Sequence, residues 1–178
     1  MLEHIAFLIT GIILWTLLEY VIHRFLGHKK RKGIVRKEHL RHHAEAHYFA
    51  PMYKKFALAV LVLTATALLV GWLSNMQNGL LFSLGFAGMY FIYEVTHRRF
   101  HIREPLIRYG LRMRKHHFYH HFGNPKFNHG VTTAFWDRIF ATFRPVKDIQ
   151  VPQKMAMTWL TDDNRSIKKR YQRHFKLY

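Results

Sequence analysis

Three long apolar stretches dominate the pattern of this sequence, the first and third followed by polar and mostly basic chain. Ile5–Ile22 is apolar apart from Thr10, Thr16 and Glu19, and Phe56–Leu73 carries no charge in eighteen residues. Gly79–Tyr93 is shorter and interrupted by Gly79, Gly85 and Gly88; Met76–Asn78 and Glu94–Val95 extend it to spanning length. A helix crossing the hydrocarbon of a bilayer needs about 20 residues, within a range near 17–25. The pattern therefore predicts three transmembrane helices at about 5–22, 56–73 and 77–95, with the glycines of the third allowing close helix packing. The first stretch has no basic flank and no small-residue cleavage site, so it reads as a span and not as a cleaved signal. An uncharged eighteen-residue run is rare in a small soluble domain, which sets aside three buried core helices.

Beyond the spans the chain reads as helix to about Arg114, with a break near Glu104-Pro105. A further helix carries His116–His121, and Gly123-Asn124-Pro125 is a turn. Apolar residues at 135, 136, 139, 140 and 143 predict an amphipathic helix over Thr132–Phe143. The last segment, 161–178, reads as a surface helix on the membrane or a partly ordered end. The expected architecture is all-α: one domain over 1–178, with a helical cap (23–55 and 97–143) and a basic tail (144–178).

Charge gives this architecture a direction. The net charge is +18 and there is no cysteine, which excludes a thiolate zinc site or a protein-bound iron–sulfur cluster. So basic a chain would ordinarily suggest nucleic acid, but the cations crowd beside the apolar stretches: Arg24, Lys29, Lys30, Arg31, Lys32, Arg36, Lys37, Arg41, Lys54 and Lys55 fall in 23–55 against only Glu38 and Glu45. That is a juxtamembrane pattern facing the anionic cytoplasmic leaflet, and no nucleic-acid partner is expected. The uncharged link Ser74–Asn78 crosses to the far side, the N-terminus lies outside, and 23–55 and everything after residue 96 stay cytoplasmic.

On that cytoplasmic side the histidines cluster. His23 and His28 are five apart, His39, His42 and His43 read H-x-x-H-H, His97 and His101 are four apart, and His117, His120 and His121 repeat H-x-x-H-H. At i and i+4 two imidazoles share a helix face, and His42 and His120 each add a neighbour about 100° round the helix. His23 and His28 converge only if the helix ends or bends near Gly27. Ten imidazoles exceed what one metal takes, so the count implies a dimetal site with about five nitrogens to each ion. Such donors suit zinc, copper, iron or nickel. Structural zinc closes with four ligands, and two redox metals beside lipid suit oxygen activation. Glu19, Glu94 and Asp137 are candidates to orient ligating histidines, Asp137 alternatively pairing with Arg138. His47, His116 and His129 are possible additions; His4 and His174 read as structural. Membrane metal binding or transport is the non-enzymatic alternative, disfavoured because the spans carry no mid-membrane ligands.

The order H-R-F-L-G-H (23–28), H-L-R-H-H (39–43), H-R-R-F-H (97–101) and H-F-Y-H-H (117–121), with the segment from Gly130 through Trp136-Asp137 to Thr142, resembles the fatty acid hydroxylase/sterol desaturase superfamily, nearest to fatty acid 2-hydroxylases. The resemblance covers roughly 15–143; it departs in having three spans and in Ala141, where the family has glycine. It implies two iron ions (zinc could substitute on purification), O2, and an O2-dependent hydroxylation of a fatty acyl chain or acyl lipid near its head group. A carotenoid or sterol-type hydroxylase or desaturase is the alternative. Carried over by motif, His23, His28, His39, His42, His43, His97, His101, His117, His120 and His121 are the implied ligands. The electrons are expected from a separate cytochrome b5-like or ferredoxin-like donor. Arg98, Arg99, Arg103, Arg112 and Lys115 could meet a substrate head group. The expected location is a membrane with the site facing the cytoplasm, a bacterial inner membrane before endoplasmic reticulum.

Overall fold

Helix dominates, as the apolar periodicity requires. The computed structural model describes residues 1–29 and 32–178, so Lys30 and Arg31 of the basic run lie outside the described residues. The helices are α1 (Leu2–Val21), α2 (Ile34–Ala44), α3 (Met52–Leu73), α4 (Met76–Ile102), α5 (Arg108–Phe118) and the short α6 (Phe135–Ile139). Three of the described helices, Leu2–His28, Met52–Leu73 and Met76–Ile102, are long and apolar enough to cross a membrane. The chain divides into two units. One is Met1–Glu19 with Ala50–Glu94; the other is Tyr20–Phe49 with Val95–Tyr178.

The first unit is the apolar one. Trp15, Phe82 and Phe86 are its buried centre, packed by Phe7, Leu18, Val62, Leu63, Met89 and Tyr90. α1 and α4 touch backbone to backbone. A Cβ on Gly11 would collide with the carbonyl of Phe82, and one on Gly85 with the carbonyl of Leu8. With lipid outside, apolar burial gives little drive to helix association, so this close approach supplies dispersion contacts instead. α3 has no buried residue, which suits a helix apolar all round and turned toward lipid. At one end Asn78, fully buried, donates to Glu3 Oε1 at 2.6 Å and meets His4 Nδ1 at 2.8 Å.

The second unit carries all the chemistry-bearing histidines. Beyond α1 the helix runs on through Gly27 and widens to i→i+5 spacing over Ile22–Lys29. The wider turn brings residues five apart onto nearby faces, which is how His23 and His28 come together. Gly27 is needed for a different reason: a Cβ there would lie 2.9 Å from the His39 ring. A second wide turn, Tyr119–Gly123, follows α5 and closes with Asn124 N–H donating to the Tyr119 carbonyl at 2.9 Å.

Two expectations are corrected. The amphipathic helix over 132–143 shrinks to Phe135–Ile139, because Thr142 and Phe143 both donate backbone N–H groups to the Asp137 carbonyl, at 2.8 and 2.9 Å, and turn the chain back. Nor is the tail a surface helix or a loose end. Ile149–Val151 (β1) pairs in parallel with Phe175–Leu177 (β2), and Trp159, Leu160, Tyr171 and Phe175 are buried. Trp159 also donates to the Phe100 carbonyl at 3.0 Å. Aromatic side chains read as scattered along a basic tail are the core of this end of the unit.

Two substitutions test these contacts. Gly11→Leu forces α1 and α4 apart and should destabilise the protein by about 1–3 kcal/mol, the usual cost of overpacking, read as a lowered thermal midpoint in detergent. Ala141 sits at φ 55°, a left-handed conformation that costs an L-residue about 1–2 kcal/mol. Ala141→Gly should raise the midpoint by the part of that strain which exceeds glycine's own entropy cost, about 1 kcal/mol or less.

Candidate metal centre

The ten motif histidines assemble into two groups of five. Among the described residues, His23, His28, His39, His43 and His120 form one group, and His42, His97, His101, His117 and His121 the other; within each, one nitrogen per ring lies within 4.8 Å of all the rest. The helical spacing explains the sorting. Each H-x-x-H-H motif sends its i, i+4 pair to one group and its middle histidine to the other: His39 and His43 join the first and His42 the second, while His117 and His121 join the second and His120 the first. The pairs 23/28 and 97/101 complete them. His43 and His121 stack between the groups, centroids 4.0 Å apart and planes 2° from parallel.

The nitrogens crowd in a way that imidazoles alone do not satisfy. His120 Nε2 lies 2.9 Å from His23 Nε2 and 2.8 Å from His28 Nε2, and His28 Nε2 lies 2.7 Å from His39 Nε2. The Nδ1–H of His120 donates to the Phe127 carbonyl at 2.8 Å, so its Nε2 holds only a lone pair. The single N–H of His28 would then have to serve both His120 and His39. In the second group His101 Nε2 and His117 Nε2 are 3.0 Å apart, and His42 Nδ1–H is anchored on the Tyr48 carbonyl at 2.7 Å. His43 Nε2 and both nitrogens of His121 are buried with no hydrogen-bond partner among the described residues, which is uncommon for buried polar atoms. A cation within each group resolves this. Five imidazoles in each group exceed the four ligands with which structural zinc closes, so the donor set fits a metal of higher coordination.

Burial, and after it repulsion from neighbouring imidazoles, holds the pKa values of His39, His117, His120 and His121 well below the ordinary histidine value, and pushes His43 down to about 3. These rings are neutral at pH 7, the protonation state a metal ligand needs.

Behind the first group lies an ordered hydrogen-bond chain. Arg24 donates to Tyr20 Oη at 2.6 Å, Tyr20 Oη meets Thr142 Oγ1 at 2.9 Å, and Thr142 donates to Asp137 Oδ1 at 2.8 Å. Asp137, fully buried, also accepts from the backbone N–H groups of His129 and Gly130, both at 2.8 Å, and from His116 Nε2 at 2.9 Å. Burial opposes its ionisation, but the hydrogen bonds from His116, Gly130 and Thr142 outweigh that and its pKa is lowered. Asp137 thus orients none of the ten; it holds the loop carrying His129, and its histidine partner is His116.

The remaining candidates separate clearly. Glu94 forms an ion pair with Lys55 at 2.6 Å, and Glu19 is buried four residues before His23. His116 is buried on Asp137, away from both groups; His47 is exposed in the turn after α2; His129 is buried beside the first group. Arg112 and Lys115 line a cleft of about 390 Å³ with Arg108, Arg138 and Arg144. Arg98 lies over the Phe49 ring, 5.0 Å from its centroid. Arg99 and Arg103 offer their carbonyls to Arg114 at 3.1 and 3.0 Å. Sequence reasoning missed Arg114. It is buried, donates also to the carbonyls of Gly110 and Glu104, and lies on Phe100 and Trp159. It closes the C-terminal end of α4, where His101 sits, against α5, where His117 sits. Burial, with Arg99 nearby, lowers its pKa to about 10, still charged at pH 7. Its only signal in the sequence was one arginine among many.

Two membrane-length helix ends and two H-x-x-H-H motifs bring ten imidazoles into two groups that could each hold a metal ion, in a chain with three helices long and apolar enough to cross a membrane. The sequence profile described as "Fatty acid hydroxylase" matches residues 8–142, and this chain belongs to that family. It is 32% identical over 152 residues to a ceramide very long chain fatty acid hydroxylase of Schizosaccharomyces pombe, covering 80% of this chain and 43% of the relative. It is 32% identical to the fatty acid 2-hydroxylase of Rattus norvegicus (79% and 40% covered) and 30% identical to a dihydroceramide fatty acyl 2-hydroxylase of Arabidopsis thaliana (77% and 60%). The chain therefore spans less than two thirds of these relatives. Among solved structures, full-length scs7p, in which only the hydroxylase domain is visible, superposes with a TM-score of 0.61 at 26% identity, covering 81% of this chain and 57% of that one.

The depressed histidine pKa values set a pH dependence. On unfolding these rings return to about 6.5 and take up protons, so below that value the unfolded chain binds more protons than the folded one. The metal-stripped protein should keep its full stability above about pH 6.5 and lose it progressively as the pH falls toward the folded values, such as about 3 for His43. Urea midpoints at pH 7.5 and pH 5.5, compared with those of a variant carrying His43→Gln and His121→Gln, would measure the histidine share.

Proposed function

We propose that this chain is a membrane di-iron lipid hydroxylase that inserts oxygen into a fatty acyl chain near its head group, at carbon 2. The observation that carries this reading is the pair of five-nitrogen groups, in a member of a family whose similar relatives are named for fatty acid and ceramide fatty acyl 2-hydroxylation. In this reading His23, His28, His39, His43 and His120 hold one iron, and His42, His97, His101, His117 and His121 the other. Two irons so held would supply the O2 activation that attack on an unactivated C–H requires, given two electrons from a separate donor.

The chain's own residues have the remaining tasks. The anchored Nδ1–H groups of His42 and His120 fix those tautomers and aim each Nε2 inward. Arg114 keeps the ends of α4 and α5 in register, and Asp137 with Thr142 and Tyr20 keeps the loop after the second wide turn in place. The rings of Phe49, Phe100 and Phe118 pack against the second group and hold its imidazoles in place. The cationic cleft of Arg108, Arg112, Lys115, Arg138 and Arg144 takes the acidic head of the substrate. The abundance of basic residues in 23–55 and after residue 96 favours a cytoplasmic position for the centre and an acidic electron-donor protein as its partner.

Lipids from a host with and without the gene, compared by mass spectrometry, test this reading. The expected product is an acyl chain gaining one oxygen atom, with fragmentation locating it at carbon 2; loss of two hydrogens instead would make the chain a desaturase. His120→Ala should lower product at least about a hundredfold. Metal uptake into vesicles with no oxidised lipid in any host would overturn the enzymatic reading in favour of metal binding or transport. Purified protein should contain two metal ions per chain, and iron loading should restore activity where zinc does not.

A further inference from the structure

One more imidazole is buried against the first group and belongs to neither set of five. His129 is 2% exposed. Its ring centroid lies 5.0 Å from that of His120, 5.6 Å from His23 and 6.0 Å from His28. Those distances fall inside the span found among the five themselves, from 4.4 Å for His23–His120 to 6.2 Å for His39–His120. Its backbone is fixed on both sides: its N–H donates to Asp137 Oδ1 at 2.8 Å, and the His23 ring hydrogen-bonds to its main chain. Its Nε2–H donates to the Lys126 carbonyl at 3.2 Å. Nδ1 is then the lone-pair nitrogen, and it is buried with no hydrogen-bond partner among the described residues.

The second group has different neighbours. Phe49 packs against His42, His97 and His101, with centroids 5.3, 6.0 and 5.9 Å away, and Phe118 packs against His101 and His117 at 5.2 and 5.8 Å. A nitrogen base borders one group where apolar rings border the other.

We propose that His129 Nδ1 is a sixth, exchangeable nitrogen donor to a metal bound at the first group, so that the two metal sites are chemically inequivalent. This rests on reading the two groups as metal sites. The nitrogens of His129 stand outside the five-donor set in this structure, so its ring must shift inward to bind. The side chain turns on a backbone that stays held by Asp137, giving up its Nε2–H bond to the Lys126 carbonyl. A metal with six nitrogen donors has no position left for an added small molecule, whereas the five-donor site keeps one. The second site, walled by Phe49 and Phe118, is therefore the one that takes exogenous ligands, and the first takes them only when His129 lets go.

The test uses the full chain in detergent, stripped of metal and titrated with cobalt(II) against a competing chelator while visible absorption is recorded. The wild type should take up two cobalt ions in distinguishable steps, one weakly absorbing as six-coordinate cobalt is and one stronger. Azide should perturb only the stronger absorber. His129→Phe and His129→Ala should each weaken one step about 10–100-fold, raise its absorption and open it to azide, leaving the other step unchanged. Added imidazole should restore the wild-type spectrum of His129→Ala and not that of His129→Phe, because only alanine leaves room for it; a purely structural role for the ring predicts no such rescue. His129→Gln keeps the experiment open if the phenylalanine or alanine variant does not fold, with the same loss expected. Wild-type steps, spectra and azide response in every folded variant would overturn the proposal and leave the two-metal reading standing. A wild-type chain that takes up no cobalt would overturn both.

Discussion

Ten imidazoles gathered into two groups, half of them buried and four of their pairs at hydrogen-bond distance, are the constraint on which the rest of the second unit depends. Each ring has one N–H and one lone pair, and each group brings several lone pairs together. His28 cannot donate to both His39 and His120 with good geometry, and His43 and His121 keep buried nitrogens without partners. Left alone, such a cluster is an electrostatic burden. Around a cation the same arrangement becomes a set of ligands, five to each group, more than a closed four-ligand zinc site takes.

A cluster under that strain needs a frame that holds it before a metal does, and most of the buried polar network serves this purpose. Asp137 joins four donors and fixes the loop beneath the first group. Arg114 joins four carbonyls and fixes the helix ends that carry the second. Both charges are buried; Asp137 is hydrogen-bonded through both oxygens and Arg114 through Nη1 and Nη2, which offsets the cost of burying them, although Arg114 Nε has no partner among the described residues. The family segment from Gly130 to Thr142 thus has a mechanical meaning: it is the mount of Asp137. Ala141 at φ 55° shows that the turn after α6 keeps its left-handed shape even where the residue resists it.

Much of this was legible beforehand. The three candidate spans followed from length and apolarity, since an uncharged eighteen-residue run such as 56–73 is rare in a small soluble domain. The sorting of the H-x-x-H-H motifs followed from helical spacing, which puts His39 with His43 and His117 with His121 whatever the fold around them. Charge crowded beside the apolar stretches pointed to the membrane. The failures were local. The apolar spacing of 132–143 resembled a helix because Phe135, Ile139 and Phe140 are exposed on one short turn, and nothing in the spacing announced that the Asp137 carbonyl would reverse the chain. The tail looked polar because its few aromatic residues are far apart in sequence, although they meet around Trp159.

The sequence by itself determined the spans, the ten histidines and the pairing of those four apart, because these depend only on helix pitch and on what a bilayer tolerates. Tertiary structure decided which pairs share a group, that His23 and His28 meet through a widened turn, that Asp137 serves His116 and the 129–130 loop, and that Glu94 turns to Lys55. It also decided the standing of His129, which no spacing relates to His120 or His23. Those outcomes hang on contacts between segments distant in sequence, and a contact of that kind leaves no periodicity in the chain to read.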